Sequence, residues 1–255
     1  MENTLYAFGD SFSEPIDVLT ELSPNNDRTK YARNYLNSDS FPIWAELLAN
    51  NLNYNYDNYS AIAGVDLDIL QKGNSNYHIL YNLNEKCHEF KKNDIVIVGF
   101  TTITRFPIPL ENTGVVTKLV SMEHDNFDKK ENDLYDLLAY KRSRFSFYKE
   151  ELLQLLKPIE ILSDSIGFHL YYWSWVDDIL NYKFEEKLLD RRWIVPQRLN
   201  KEDIDYRFIQ HLELYGKPKI IDETNGDIDD HHLGKVGNEI QYKIFLEYIK
   251  KDLGI

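Results

Sequence analysis

The run Leu5-Tyr6-Ala7-Phe8-Gly9-Asp10-Ser11-Phe12-Ser13 decides how the rest of the chain is read. Leu5 to Phe8 has the length and apolar content of a buried strand, and Gly9 punctuates its end. Ser11 therefore stands just past a strand's C-terminal end. In an open parallel sheet ligands bind there, so a hydroxyl at that place is positioned to act as a nucleophile. Gly, Asp and Ser are also ordinary turn residues, and the triplet by itself reads equally as a plain turn.

Working outward, Ile95-Val96-Ile97-Val98-Gly99-Phe100 is continuous, β-branched and too short for a helix, the pattern of a strand at the centre of a parallel sheet. Tyr54 to Asn58 alternates aromatic and polar residues and predicts a second strand, Phe168 to Trp173 predicts a fourth, and Ile220 and Ile221 a short fifth. Between them apolar residues recur at helical spacing. Trp44, Leu47 and Leu48 follow Ser40 as an N-cap and Pro42 in the first turn. Leu67 to Phe90 is helical with a break at Gly73, and Leu134 to Leu155 predicts a long helix broken by Pro158. Ile240, Ile244, Phe245, Tyr248 and Ile249 line one face of a last helix from about Lys235. Strands alternating with helices predict an α/β fold in one domain, 1–255. Irregular stretches at 106–132 and 177–218 are expected to be insertions over the end of the sheet that carries Ser11, where loops set substrate choice.

Composition narrows the class. A chain of 255 residues with 43% hydrophobic and 14% aromatic residues can build one sizeable core. Its 29 basic and 42 acidic side chains give a formal charge of −13, which repels phosphate backbones and anionic lipid headgroups, so neither nucleic acid nor membrane is an expected partner. Cys87 is the only cysteine, which excludes an intrachain disulfide. Met1-Glu2-Asn3-Thr4 runs into the first strand with neither a basic region nor an apolar leader. A protein that is cytoplasmic, or released without a signal peptide, is the expectation, with no transmembrane segment.

Near the far end stands Asp229-Asp230-His231-His232-Leu233-Gly234, directly before the last helix. A carboxylate three residues from an imidazole can accept a hydrogen bond from one ring nitrogen and leave the other to take a serine proton. Alone, the stretch also reads as a solvated acidic loop. Together, Gly9-Asp10-Ser11 and Asp229-x-x-His232 resemble the SGNH hydrolases, the GDSL-type esterases. That resemblance implies a three-layer α/β/α, flavodoxin-like sandwich with a mostly parallel five-stranded sheet. It implies a triad in which Ser11 attacks, His232 is the base and Asp229 orients His232. It further implies an oxyanion hole built from the backbone N–H groups of Ser11 and Gly64, with Ala63 as the alternative to Gly64 because the segment from Asn58 is one residue longer than usual. The family follows its central strand with Gly-x-Asn-Asp. Here Gly99-Phe100-Thr101-Thr102 keeps the glycine and replaces the asparagine, so the Thr101 hydroxyl is the candidate third donor.

Arg105 either orients a polar substrate by bidentate contact or forms a structural salt bridge. Trp173 and Trp175 either stack on a sugar face or fill the core. No Gly-x-Ser-x-Gly elbow, phosphate loop, dinucleotide glycine pattern or His-Glu-x-x-His pair occurs, and His78, His88, His124, His169 and His211 form no ligand set. No metal and no cofactor are expected. The expected reaction is hydrolysis of a small acyl ester such as acetyl on a carbohydrate, the partner being a small-molecule or glycan ester. Activity should rise with pH through about 6 to 7.5, because an imidazole base must be neutral. Two other readings fit the same residues: a carbohydrate-binding or structural protein that keeps the fold, motivated by Thr101, and an acyltransferase using the same triad.

Overall fold

The computed structural model describes residues 3–10, 13, 41–60, 75–102, 105–110, 114–119, 128–144, 150, 151, 153–175, 191–194, 216, 218–227 and 231–255. In chain order its elements are β1 (Thr4–Phe8), α1 (Trp44–Leu52), β2 (Asn55–Asn58), α2 (Asn76–Lys86), β3 (Ile95–Phe100), β4 (Arg105–Leu110), β5 (Gly114–Leu119), α3 (Lys129–Arg144), α4 (Lys157–Ile166), β6 (His169–Ser174), α5 (Ile220–Glu223) and α6 (Lys235–Leu253). The fold is α/β. Four strands form a parallel sheet in the order β2-β1-β3-β6.

That order follows from hydrophobic pattern. β1 and β3, buried along almost their whole length, take the two central places. β2, half-buried and polar, takes an edge. The chain leaves β1 for β2 on one side and then returns across β1 to β3 on the other, so the direction of winding changes between β1 and β3. Ligands of open parallel sheets bind at such a switch point, outside the strands' C-terminal ends. The residues that leave β1 there are Gly9 and Asp10.

Alternate strand residues face opposite ways. Tyr6, Phe8, Val96, Val98, Phe100, Leu170 and Tyr172 pack with Ile79, Leu80 and Leu83 of α2 and with Leu156 and Ile159 at the start of α4. Leu5, Ala7, Ile95, Ile97, Tyr171 and Trp173 pack with Trp44, Ala45 and Leu48 of α1 and with Ile244, Phe245 and Ile249 of α6. Gly99 is paired in register with Trp173. A Cβ at Gly99 would lie 2.5 Å from the Trp173 indole nitrogen, so the ring occupies the space that any side chain there would need. The glycine that the family pattern matched thus has a packing reason of its own.

Several expectations are corrected. Ile220 and Ile221 do not form a fifth strand; they open the short helix α5, and only Lys219 makes an antiparallel bridge, to Leu233. The Thr224 N–H turns back to the Ile220 carbonyl at 2.9 Å, which closes a helical turn where two apolar residues alone carry no period. A further parallel neighbour of β6 comes from within 177–218. The Tyr172 N–H donates to the Arg192 carbonyl at 2.7 Å, the Ile194 N–H donates to the Tyr172 carbonyl at 2.8 Å, and Trp193 is buried against Phe100 and Tyr172. This part of 177–218 lies beside the sheet, in the core, because a tryptophan ring buries more apolar surface there than over a loop.

The stretch 106–132 is not a plain loop: it holds the antiparallel hairpin β4–β5 and the start of α3. Pro107 and Pro109 are compatible with β4 because residues two apart share one strand edge, so their missing N–H groups leave the other edge free to pair. The helical residues 150, 151, 153 and 154 end at a turn over 155 and 156, and Pro158 sits in the first turn of the next helix, α4, where its lost N–H has no intrahelical partner to miss. α1 begins at Trp44 with Ile43 still extended, so Pro42 precedes the helix and no side chain of its own caps it. The predicted cap Ser40 lies outside the described residues, as does most of 177–218.

Candidate active site

A helix that crosses between parallel strands starts at the sheet edge where the preceding strand ended. The N-termini of α1 and α2 therefore lie at the edge that carries Asp10, and the site is assembled from what meets there. Ser11, Gly64, its alternative Ala63 and Asp229 lie outside the described residues, but both flanks of Ser11 are described.

Asp10 is buried, only 1% exposed, and its Oδ2 accepts a hydrogen bond from the Trp175 indole N–H at 2.9 Å. The Ser13 N–H donates to the Asp10 carbonyl at 2.9 Å, closing a turn around positions 10–13. Asn58, the last residue of β2, holds the other flank: its Nδ2 donates to the Ser13 carbonyl at 2.7 Å and its Oδ1 accepts the Ser60 N–H at 2.8 Å. Gly9 is needed for this closure. A Cβ on it would lie 2.6 Å from the Ser13 Oγ. The turn is thus clamped by β2 on one side and by the end of β6 on the other.

Thr101 follows β3 directly. Its N–H donates to Asn76 Oδ1 at 2.8 Å and its carbonyl accepts from Asn76 Nδ2 at 2.8 Å, both buried. The first residue of α2 therefore pairs with the Thr101 backbone as another strand would. Among the described residues the Thr101 hydroxyl has no hydrogen-bond partner, and the residue is fully buried. A buried hydroxyl without a partner costs about 1–3 kcal/mol.

His232 is half-buried and His231 exposed. The His232 carbonyl accepts the Ile220 N–H at 2.9 Å, and the Gly234 N–H donates to the Pro218 carbonyl at 2.9 Å, so residues 218–220 brace the histidine's backbone. Glu223 caps α6, accepting the N–H groups of Lys235 at 3.0 Å and Val236 at 2.9 Å. Asn238, buried in α6, donates to the carbonyls of Leu233 at 3.2 Å and Gly234 at 3.0 Å while accepting the Trp44 N–H at 2.9 Å. One side chain thereby ties the His232 stretch to the N-terminus of α1, at the same edge as Asp10, and supplies the cap that α1 lacks locally.

The other sequence candidates divide. Trp173 is buried against Trp44 and Phe245 and belongs to the core, leaving no ring face for a sugar. Trp175 is half-buried, with its indole N–H engaged by Asp10. Arg105 is the first residue of β4, in register with Leu119. Asp10 and Asn58 entered the sequence reading only as parts of motifs, and Asn76, Glu223 and Asn238 not at all; the local signal of Asn238 is a polar residue inside the apolar pattern of α6.

Burial lowers the pKa of His78, one turn into α2, and of His169, at the start of β6. Each is held neutral in the fold more readily than in the unfolded chain, so the unfolded state binds more protons below the ordinary imidazole range and stability falls as pH falls. The melting temperature should drop as pH is lowered from about 7.5 to 5.5, and the double variant His78→Gln/His169→Gln should flatten that drop. An unchanged slope in the double variant would assign the dependence to other groups.

Among the described residues no three His, Cys, Asp or Glu side chains are placed to hold a metal ion, and no helix is long and apolar enough to cross a membrane. Compared with protein-family models, with curated proteins and with solved structures, the chain matches none.

Proposed function

We propose that this chain is a serine esterase in which Ser11 attacks the ester carbonyl, His232 accepts and returns the proton, and Asp229 orients His232. The observation that carries the reading is the clamped turn at the switch point: both flanks of Ser11 are held by partly buried hydrogen bonds from the ends of other strands. A nucleophile needs such a fixed support, because misplacement of about 1 Å can cost about a hundredfold in rate. The bracing of His232 toward the same edge through Asn238 adds to it. The frame is proposed to be the three-layer α/β/α, flavodoxin-like sandwich of the SGNH hydrolases. In the tetrahedral intermediate the developing charge would face the N–H groups of Ser11 and Gly64, with the Thr101 hydroxyl as third donor. A small acyl ester on a carbohydrate is the proposed substrate, since the described residues at this end of the sheet, Asp10, Asn58, Thr101, Trp175 and His232, are polar or aromatic.

The test is labelling of the purified protein with a fluorophosphonate, followed by peptide mapping, beside a screen of acetylated sugars and short-chain nitrophenyl esters. Covalent modification at Ser11 with release of acetate is the expected result. A protein that remains unlabelled and binds acetylated sugars without turnover is instead a binding protein on this fold.

A further inference from the structure

The hydrogen bond from Trp175 to Asp10 spans an unusual distance within the sheet. β3 lies between β1 and β6, and neighbouring strands are about 4.8 Å apart, so the indole crosses about 10 Å, past the end of β3, to reach the carboxylate. The bond joins a half-buried ring to a fully buried charge. Desolvation makes such a charge-assisted bond stronger than a neutral one and makes its loss costly. Asp10 is also the residue that precedes Ser11, and its carbonyl closes the turn to Ser13. A force on the Asp10 side chain is therefore a force on the turn that carries the proposed nucleophile.

From this we infer that Trp175 is a positioning residue: its indole N–H holds Asp10, and through Asp10 the Ser11 turn, in register with the end of β6. The inference rests on the esterase reading and deepens it. It gives Trp175 a role other than the two the sequence left open, stacking on a sugar face or filling the core, because a ring whose N–H is committed to a buried carboxylate is oriented by that bond. The two roles make opposite demands on the side chain. Stacking needs the aromatic face, whereas positioning needs the N–H.

Trp175→Phe keeps a face and removes the donor. The expected result is a fall of about ten- to a hundredfold in kcat and in the rate of Ser11 modification by a fluorophosphonate, with KM for a short-chain nitrophenyl ester changed less than about twofold. Asp10→Ala removes the acceptor, so it tests the same contact from the other side and covers the case in which Trp175→Phe folds poorly. In the double variant the rate should fall no further than in the more impaired single variant, because both remove one interaction. Full labelling rate and kcat in Trp175→Phe, a change confined to KM, or multiplicative losses in the double variant would each overturn the inference while leaving the esterase reading standing. If the unmutated protein were not labelled at Ser11, the esterase reading would fail and this inference with it.

Discussion

Ser11→Ala and His232→Ala are each expected to reduce ester turnover by about 10⁴- to 10⁶-fold, because members of a nucleophile–base unit act together and losing one idles the others. The double variant should be no worse than either single one. Folding should survive. The backbone carbonyls of His232 and its neighbours hold this stretch, and an alanine retains them, so His232→Ala should give the parent's far-ultraviolet circular dichroism spectrum. His231 supplies the control. It is exposed, and His231→Ala should change kcat/KM by no more than about twofold. Steady-state kinetics on a nitrophenyl ester, with circular dichroism melts of each variant, decide the matter. A dead His231→Ala beside an active His232→Ala would show that the wrong imidazole has been assigned.

Thr101→Val carries the second largest expected effect, and its two readouts should move in different directions. Valine keeps the shape and removes the hydroxyl. That hydroxyl is buried without a partner among the described residues, and the bonds that hold Thr101 to Asn76 use only its backbone. Stability should therefore hold or rise, by up to about 1 kcal/mol, as an unsatisfied polar group leaves the core. Activity should fall. Removing one oxyanion donor typically costs about 10²- to 10³-fold in kcat with KM little altered. Since the hydroxyl has no exposed surface, it meets an oxyanion only when substrate displaces what covers it. Loss of kcat together with retained or increased stability would mark Thr101 as a functional group kept at a structural cost. Full activity in Thr101→Val would reduce the hole to the Ser11 and Gly64 amides.

Legibility from sequence followed the range of the interactions. β1 and β3 were readable because a continuous apolar run is its own evidence of burial, and α6 because its apolar residues repeat at helical spacing from Ile240 to Ile249. The clamps of the site were not. Asn58 reaches Ser13 across 45 residues, Asn76 reaches Thr101 across 25, Trp175 reaches Asp10 across 165 and Asn238 reaches Trp44 across 194. An isolated asparagine has no period, and nothing in the chain near Asn238 announces that α1 will lack a cap of its own.

The sequence by itself determined the α/β class, the central strands, the last helix and the Gly-Asp-Ser turn past the first strand, because periodicity and turn chemistry act over a few neighbouring residues. Only the tertiary structure decided between the two tryptophans. They are two residues apart and chemically alike, yet Gly99 leaves room that draws Trp173 into the core, while the buried charge of Asp10 takes the indole N–H of Trp175. It also decided that Trp193, and not Ile220 or Ile221, lies beside β6, since an edge place goes to the segment whose side chain fills the gap over Phe100 and Tyr172. Those outcomes depend on which surfaces remain uncovered after the sheet has formed, a property that no local stretch of chain carries.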